Sequence, residues 1–232
     1  MGTIKENIRE IKKSMAALTA ESGRDPEEVK LIAVTKTRTA EEINEAVDGG
    51  ITDIGENKVQ EIMDKYDRVK PVRWHMIGHL QTNKVKYIID KVSLIHSVDS
   101  MRLAEEIDKR AGQHGKSMDI LVQVNVANEE SKFGIAAEET GSLIRDILDR
   151  CKNIRIKGLM CIAPFEDNPE DAGIYFGQVK KLFDEYSSIE HPNLDFKYLS
   201  MGMSNDYEVA IKKGSNMIRV GTAIFGPRNY NV

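Results

Sequence analysis

The chain has 232 residues, with 33 Lys and Arg against 37 Asp and Glu, hence a formal charge of −4; 41% of residues are hydrophobic and 30% charged. This balance excludes a disordered or collagenous chain, and the negative net charge gives no general attraction to nucleic acid. No apolar run approaches a membrane span, the start Met1-Gly2-Thr3-Ile4-Lys5-Glu6 lacks a secretory apolar stretch, and Cys151 and Cys161 form no disulfide framework, so a cytoplasmic protein with reduced thiols is expected.

Ile4, Ile8, Ile11, Met15 and Leu18 recur at helical spacing, which predicts an amphipathic helix over 3–22, broken by Asp25-Pro26. The run 30–34 reads as a buried strand. Thr39-Ala40-Glu41-Glu42 reads as the capping box of a helix ending at Gly49-Gly50. The pair of signals then repeats. Strands are predicted at 53–55, 74–78, 94–96, 120–124, 154–159, 196–199 and 217–220. Helices are predicted over 57–69 and 81–90, after a cap at Ser97 or Asp99, around Leu143, Ile144, Ile147 and Leu148, from Asn168-Pro169, and from a Ser204 cap to Gly214.

Eight strands alternating with helices predict an α/β fold, a (β/α)8 TIM barrel with an extra N-terminal helix; a doubly wound open sheet is the alternative. No linker-like stretch or repeat divides the chain, so residues 1–232 are expected to form one domain. In such a barrel, function sits where strands end at their C-terminal side.

Lys36 stands directly behind the first strand, over the expected mouth. Partial burial there exposes a nucleophilic amine, as imine formation with an aldehyde or ketone requires; the plainer reading is a solvated lysine at a loop start. The seventh and eighth strands end in Leu199-Ser200-Met201-Gly202-Met203-Ser204-Asn205-Asp206 and Arg219-Val220-Gly221-Thr222-Ala223-Ile224-Phe225-Gly226. Gly202 and Gly221 allow close backbone approach, Ser204 and Thr222 offer hydroxyls, and a helix start offers unpaired N–H groups, which together suit an anion such as phosphate. Taken singly, Ser204 is an N-cap and the glycines make turns. Arg219 interrupts an apolar run and so points inward, where its charge needs an acceptor: a ligand ring nitrogen or a carboxylate such as Glu56.

Asn57 reads as a helix N-cap or as a donor to a ligand oxygen. His75 and His79 lack the helical setting and adjacent Glu of a zinc site, and a barrel-interior His75 bonded to its neighbours is expected instead. Asn125, Glu129, Lys132 and Gly134 either solvate a loop or gate the mouth. His114-Gly115-Lys116-Ser117 is no phosphate loop, because Arg110 stands where its first glycine belongs.

These residues together resemble the pyridoxal phosphate homeostasis proteins, the YggS-like or proline synthetase co-transcribed family. The marks are Ala33-Val34-Thr35-Lys36, Gly55-Glu56-Asn57 with Gln60-Glu61, Trp74-His75-x-Ile77-Gly78 with Leu80-Gln81-x-Asn83-Lys84, Asn125 with Glu129, Lys132 and Gly134, the stretch Leu199–Asp206, and Arg219-x-Gly221-x-x-Ile224-Phe225-Gly226. Met76 and Lys58 depart from the family's usual Phe and Tyr. The resemblance implies a barrel like the alanine racemase N-terminal domain, with pyridoxal 5'-phosphate held covalently as a Schiff base on Lys36. It places Ser200, Ser204, Gly221 and Thr222 around the phosphate, Arg219 against the pyridine nitrogen, and Asn57 and Met76 near the ring. It implies a cofactor carrier or buffer in vitamin B6 metabolism, with apo-enzymes of the cofactor as partners.

An arginine beside the pyridine nitrogen donates to it and weakens the electron sink that a carboxylate would deepen. The chain also ends six residues after Gly226, leaving no length for a racemase's second domain with its opposing acid/base. A monomer without robust turnover is therefore expected. The competing readings are a weak racemase or lyase using Lys36 with His75 or Tyr207, a cofactor-free Schiff-base aldolase barrel, and an interaction module that senses the cofactor.

Overall fold

The computed structural model describes residues 2–127, 129 and 133–227. Helix α1 (Ile4–Glu21) comes first, its capping box closed by Thr3 and Glu6. Strands β1 (Lys30–Val34), β2 (Asp53–Glu56), β3 (Arg73–Met76), β4 (Leu94–Val98), β5 (Met118–Asn125), β7 (Ile154–Cys161), β8 (Leu194–Ser200) and β9 (Met217–Val220) follow, with a two-residue strand β6 (Ile135–Ala136) beside β5. Every pairing among them is parallel, in the order β4-β3-β2-β1-β9-β8-β7-β5, and β4 also pairs with β5. The contacts Leu94↔Asp119 and Val98↔Val122 close the sheet on itself, which removes the open-sheet alternative.

The helices are α2 (Ala40–Asp48), α3 (Val59–Lys65), α4 (Met101–Gln113), α5 (Thr140–Arg150), α6 (Gly173–Ser187), α7 (Tyr207–Lys212) and α8 (Thr222–Phe225). Thr39 and Glu42 form the expected capping box of α2. Several local expectations are corrected. The segment Thr82–Tyr87 is a 3-10 helix rather than an α-helix. Ser100, not Ser97 or Asp99, precedes α4, and its side chain makes no cap. Lys58 occupies the N-cap position of α3 that Asn57 was expected to hold. A 3-10 turn over Pro169–Ala172 precedes α6, with Asn168 accepting from Glu170 N–H. The strand β6 has no apolar run to announce it.

Side chains along each strand alternate between two cores. Ile32, Leu94, Leu121, Met160 and Met217 pack together inside the barrel, while Leu31, Ala33, Ile54, Met76, Ile95, Leu199, Ile218 and Val220 belong to the larger shell under the helices. Among the described residues no helix is long and apolar enough to cross a membrane.

Candidate functional site

Beyond β1 the chain turns at Lys36, which is half-buried, and at Thr37, whose φ of 62° is strained for a β-branched residue. Helix α3 grips both sides of this turn. Glu61 Oε2 accepts the Thr37 N–H at 2.6 Å. Lys65 Nζ donates to Thr35 O at 3.1 Å, Glu56 Oε1 at 2.9 Å and Glu61 Oε2 at 2.7 Å. Thr35 Oγ1 adds a 2.7 Å bond to the same Glu56 oxygen. Burial pushes the Glu56 carboxyl above its ordinary range, against the pull of the Lys65 ammonium.

Opposite Lys36, the ends of β8 and β9 are joined. Ser204 Oγ accepts from Gly221 N–H at 3.2 Å and Ala223 N–H at 3.4 Å. The hydroxyl therefore bridges two loops and does not cap its own helix; α7 starts after Asp206, whose carboxylate accepts Met203 N–H at 2.5 Å. Gly202, at φ 94°, is needed for packing: a Cβ there would lie 2.6 Å from Ala210 Cβ and 2.9 Å from Tyr207 Cα.

Between these walls opens a cavity of about 420 Å³, lined among others by Lys36, Arg38, Ser204, Asp206, Arg219 and Thr222. Its outer rim is apolar, with Phe165 79% exposed.

Arg219 forms part of the cavity floor and is 4% exposed. It donates to Ser200 Oγ at 2.6 Å and to Cys161 O at 2.9 Å. Behind it, His96 Nδ1 lies 3.1 Å from Ser200 Oγ, His75 Nδ1 lies 3.0 Å from His96 Nε2, and His75 Nε2 lies 3.0 Å from Asp53 Oδ1. Arg73 closes the series with bonds of 2.7 and 2.6 Å to the two Asp53 oxygens. Burial alone would raise the Asp53 carboxyl, but bonds from Arg73, His75 and Thr52 hold it well below the usual carboxylate range. Burial lowers both histidines; for His96 the charges of His75 and Arg219 add to it. Burial also pushes the Cys161 thiol up to about 12, so it stays neutral beside Arg219.

The structure thus gathers Lys36, Ser204, Arg219, Gly221 and Thr222 around one cavity. Four other expectations come out differently. Ser200 does not line the cavity; its hydroxyl is fully buried beneath Arg219. Met76 is buried in the helix-facing shell, because strand alternation puts it on the opposite face from His75. The same alternation turns Glu56 away from Arg219 and toward Lys65. Asn57 lies outside the lining, and its Oδ1 is a buried acceptor without a partner, as is Glu56 Oε2. His75 is interior, as expected, and no metal-binding cluster occurs among the described residues. His79 is exposed and stacks on Phe133 at 3.8 Å, joining the loops after β3 and β5. In the latter, Asn125 Nδ2 donates to Glu129 O, and Lys132 lies outside the described residues. The residues missed by sequence reasoning are Lys65, Asp53 and His96. The interruption of the apolar run Leu94-Ile95-His96-Ser97-Val98 carried the same signal that singled out Arg219.

Comparison with known proteins fits this geometry. The profile of "Alanine racemase, N-terminal domain" matches residues 1–229. A pyridoxal phosphate homeostasis protein of Aquifex aeolicus is 44% identical over 211 residues, 90% of this chain and 91% of the relative. The chain belongs to this family. The structure of PipY from Synechococcus elongatus with PLP bound is 32% identical, with a TM-score of 0.83 over 97% of this chain and 100% of that one. An alanine racemase of Clostridium difficile, at 15% identity and a TM-score of 0.72, covers 99% of this chain with 58% of its own and shares the fold alone. Within the family barrel, Arg219 is the buried cation of this site and Lys36 the amine at its edge.

Proposed function

We propose that this chain binds pyridoxal 5'-phosphate covalently and serves in its homeostasis, holding and releasing the cofactor without turning over amino acids. One observation carries the reading: an amine, a hydroxyl-bridged pair of loops and a buried guanidinium converge on a single cavity. Its volume, about 420 Å³, lies within the range of small-ligand sites. The donor set fits the cofactor. Lys36 Nζ would add to the aldehyde carbon with loss of one water. Ser204, Gly221 and Thr222 would hold the phosphate, and Arg219 would donate to the ring nitrogen. The names of the relatives and the PLP bound to PipY support the same reading.

When bound, the cofactor supplies an electrophilic aldehyde and a ring able to accept electrons. This chain's residues favour the first property and restrain the second. Arg219 is a permanent cation, so it donates to an unprotonated ring nitrogen instead of keeping it protonated as a carboxylate would. Of the second acid/base candidates beside Lys36, His75 is buried in the barrel against Asp53 and His96, and Tyr207 Oη bonds to Ser14 Oγ on α1 at 3.3 Å. A carrier of this kind needs recipients, and apo-enzymes of the cofactor are the partners we propose.

The test is a visible spectrum with intact mass, before and after borohydride reduction of protein mixed with pyridoxal 5'-phosphate. We expect a yellow protein and, after reduction, a permanent mass increment on Lys36, both lost in Lys36→Ala. Undiminished trapping in Lys36→Ala would overturn the covalent assignment. Deuterium exchange at the α-carbon of amino acids above the free-cofactor rate would overturn the non-catalytic one.

A further inference from the structure

With both buried histidines neutral, every link in the series behind Arg219 has one direction. Asp53 is held ionised by Arg73 and Thr52, so it only accepts, and His75 Nε2 must carry the proton that faces it. A neutral His75 then has a bare Nδ1, so His96 Nε2 must donate across the 3.0 Å contact. A neutral His96 has a bare Nδ1 in turn, so the Ser200 hydroxyl donates to it and leaves its oxygen to accept from Arg219. The direction runs without a break from the cavity floor, through the barrel, to Asp53 at the start of β2.

The series also answers an electrostatic question. Arg219 is buried and donates to a hydroxyl and a carbonyl, neither of them charged, while the Asp206 carboxylate on the same cavity wall acts on it through space. A buried cation is costly unless its donors are well satisfied, so the orientation of the groups it bonds matters. Hydrogen bonds aligned head to tail polarise one another, so each donor pointing toward Asp53 enriches the lone pair behind it. The negative end of the series is Asp53, and its last link to Arg219 is the Ser200 oxygen.

We propose that Asp53, His75, His96 and Ser200 are positioning residues, a one-way hydrogen-bond relay that holds Arg219 as an oriented cation against the ring nitrogen of a bound pyridine. The inference rests on the cofactor reading above for its ligand, but the relay itself is present in the ligand-free protein. A relay of this kind acts on the nitrogen of the ring and leaves the aldehyde and phosphate contacts alone.

Two measurements test it. In ligand-free protein labelled with ¹⁵N-histidine, long-range proton–nitrogen correlation spectra at neutral pH should show His75 and His96 both neutral and both protonated on Nε2. An Nδ1-protonated or doubly protonated ring at either position overturns the relay. The second measurement compares Asp53→Asn with the unaltered protein, using pyridoxal 5'-phosphate and its carbocyclic analogue, in which C–H replaces the ring nitrogen. The substitution should weaken pyridoxal 5'-phosphate roughly threefold to tenfold and leave the analogue unchanged. Equal weakening of both ligands marks a merely structural role and overturns the proposal, as does no weakening of either. Should Asp53→Asn fail to fold, the tautomer spectra decide alone. Failure of the unaltered protein to bind either ligand would instead sink the cofactor reading, whatever the tautomers show.

Discussion

Glu61 Oε2 holds the backbone N–H of Thr37 at 2.6 Å, so a carboxylate on α3 fixes the residue that follows the site lysine. Lys65 binds that same oxygen at 2.7 Å and also bridges to the fully buried Glu56. The strained turn at Thr37 is therefore maintained by an ion cluster on the helix-facing side of the barrel, not by anything inside the cavity.

Removing the cation should expose this dependence. Lys65→Met leaves Glu56 buried and unpaired, and we expect a loss of about 3 kcal/mol in urea unfolding followed by circular dichroism. Adding Glu56→Gln should restore part of it, since the amide needs no counter-charge. An unaltered midpoint in Lys65→Met would show that the cluster contributes nothing to the turn.

Ser204 bridges the two loops on the far wall, so its hydroxyl is expected to matter for the phosphate rather than for the ring. Ser204→Ala should weaken pyridoxal 5'-phosphate about tenfold, the scale of one or two lost hydrogen bonds, while unphosphorylated pyridoxal is little affected. Titration of both ligands against the same variant checks it, and equal loss for both would remove the phosphate assignment.

The buried histidines make stability sensitive to acid. Both are lowered from an ordinary value of 6.5 and are neutral when folded. The unfolded chain therefore takes up protons below about pH 6.5 that the folded chain refuses, and stability falls as pH falls, by up to about 1.4 kcal/mol per pH unit for each histidine. Asp53, held low in the fold, adds loss in the same direction below its ordinary value of 3.8. Glu56 and Asp206, both raised by burial, act oppositely above their ordinary values of 4.5 and 3.8. Thermal midpoints measured between about pH 7.5 and 5.5 should drop, and His96→Asn should flatten that drop. An equally steep profile in the variant would assign the sensitivity elsewhere.

Gly202 is fixed by geometry. Its φ of 94° is costly for any residue with a Cβ, and the added carbon would press on the backbone of Tyr207 at 2.9 Å. Gly202→Ala should lower stability by about 2 kcal/mol or more and shift α7, which carries Asp206's neighbours. Chemical unfolding measures the first and ligand titration the second; a neutral variant would mean that α7 adjusts freely.

Periodicity alone determined the helix–strand alternation, because an apolar run or a repeat at helical spacing is a local pattern. The capping boxes at Thr3 and Thr39 were legible for the same reason. Lys36, Ser204, Gly221 and Thr222 were found because a barrel brings its strand ends to one mouth, and Arg219 because a charge inside an apolar run must face inward. Tertiary structure decided the rest. Barrel closure rests on β1 meeting β9, a contact between strands from opposite ends of the chain that no local pattern records. Which face each polar residue joins depends on strand register: one step of alternation sends Glu56 to Lys65 and Met76 to the shell, while Asp53, His75, His96 and Ser200 meet inside. Those four come from four different strands, and only the parallel register across the closed sheet brings their side chains within hydrogen-bond reach.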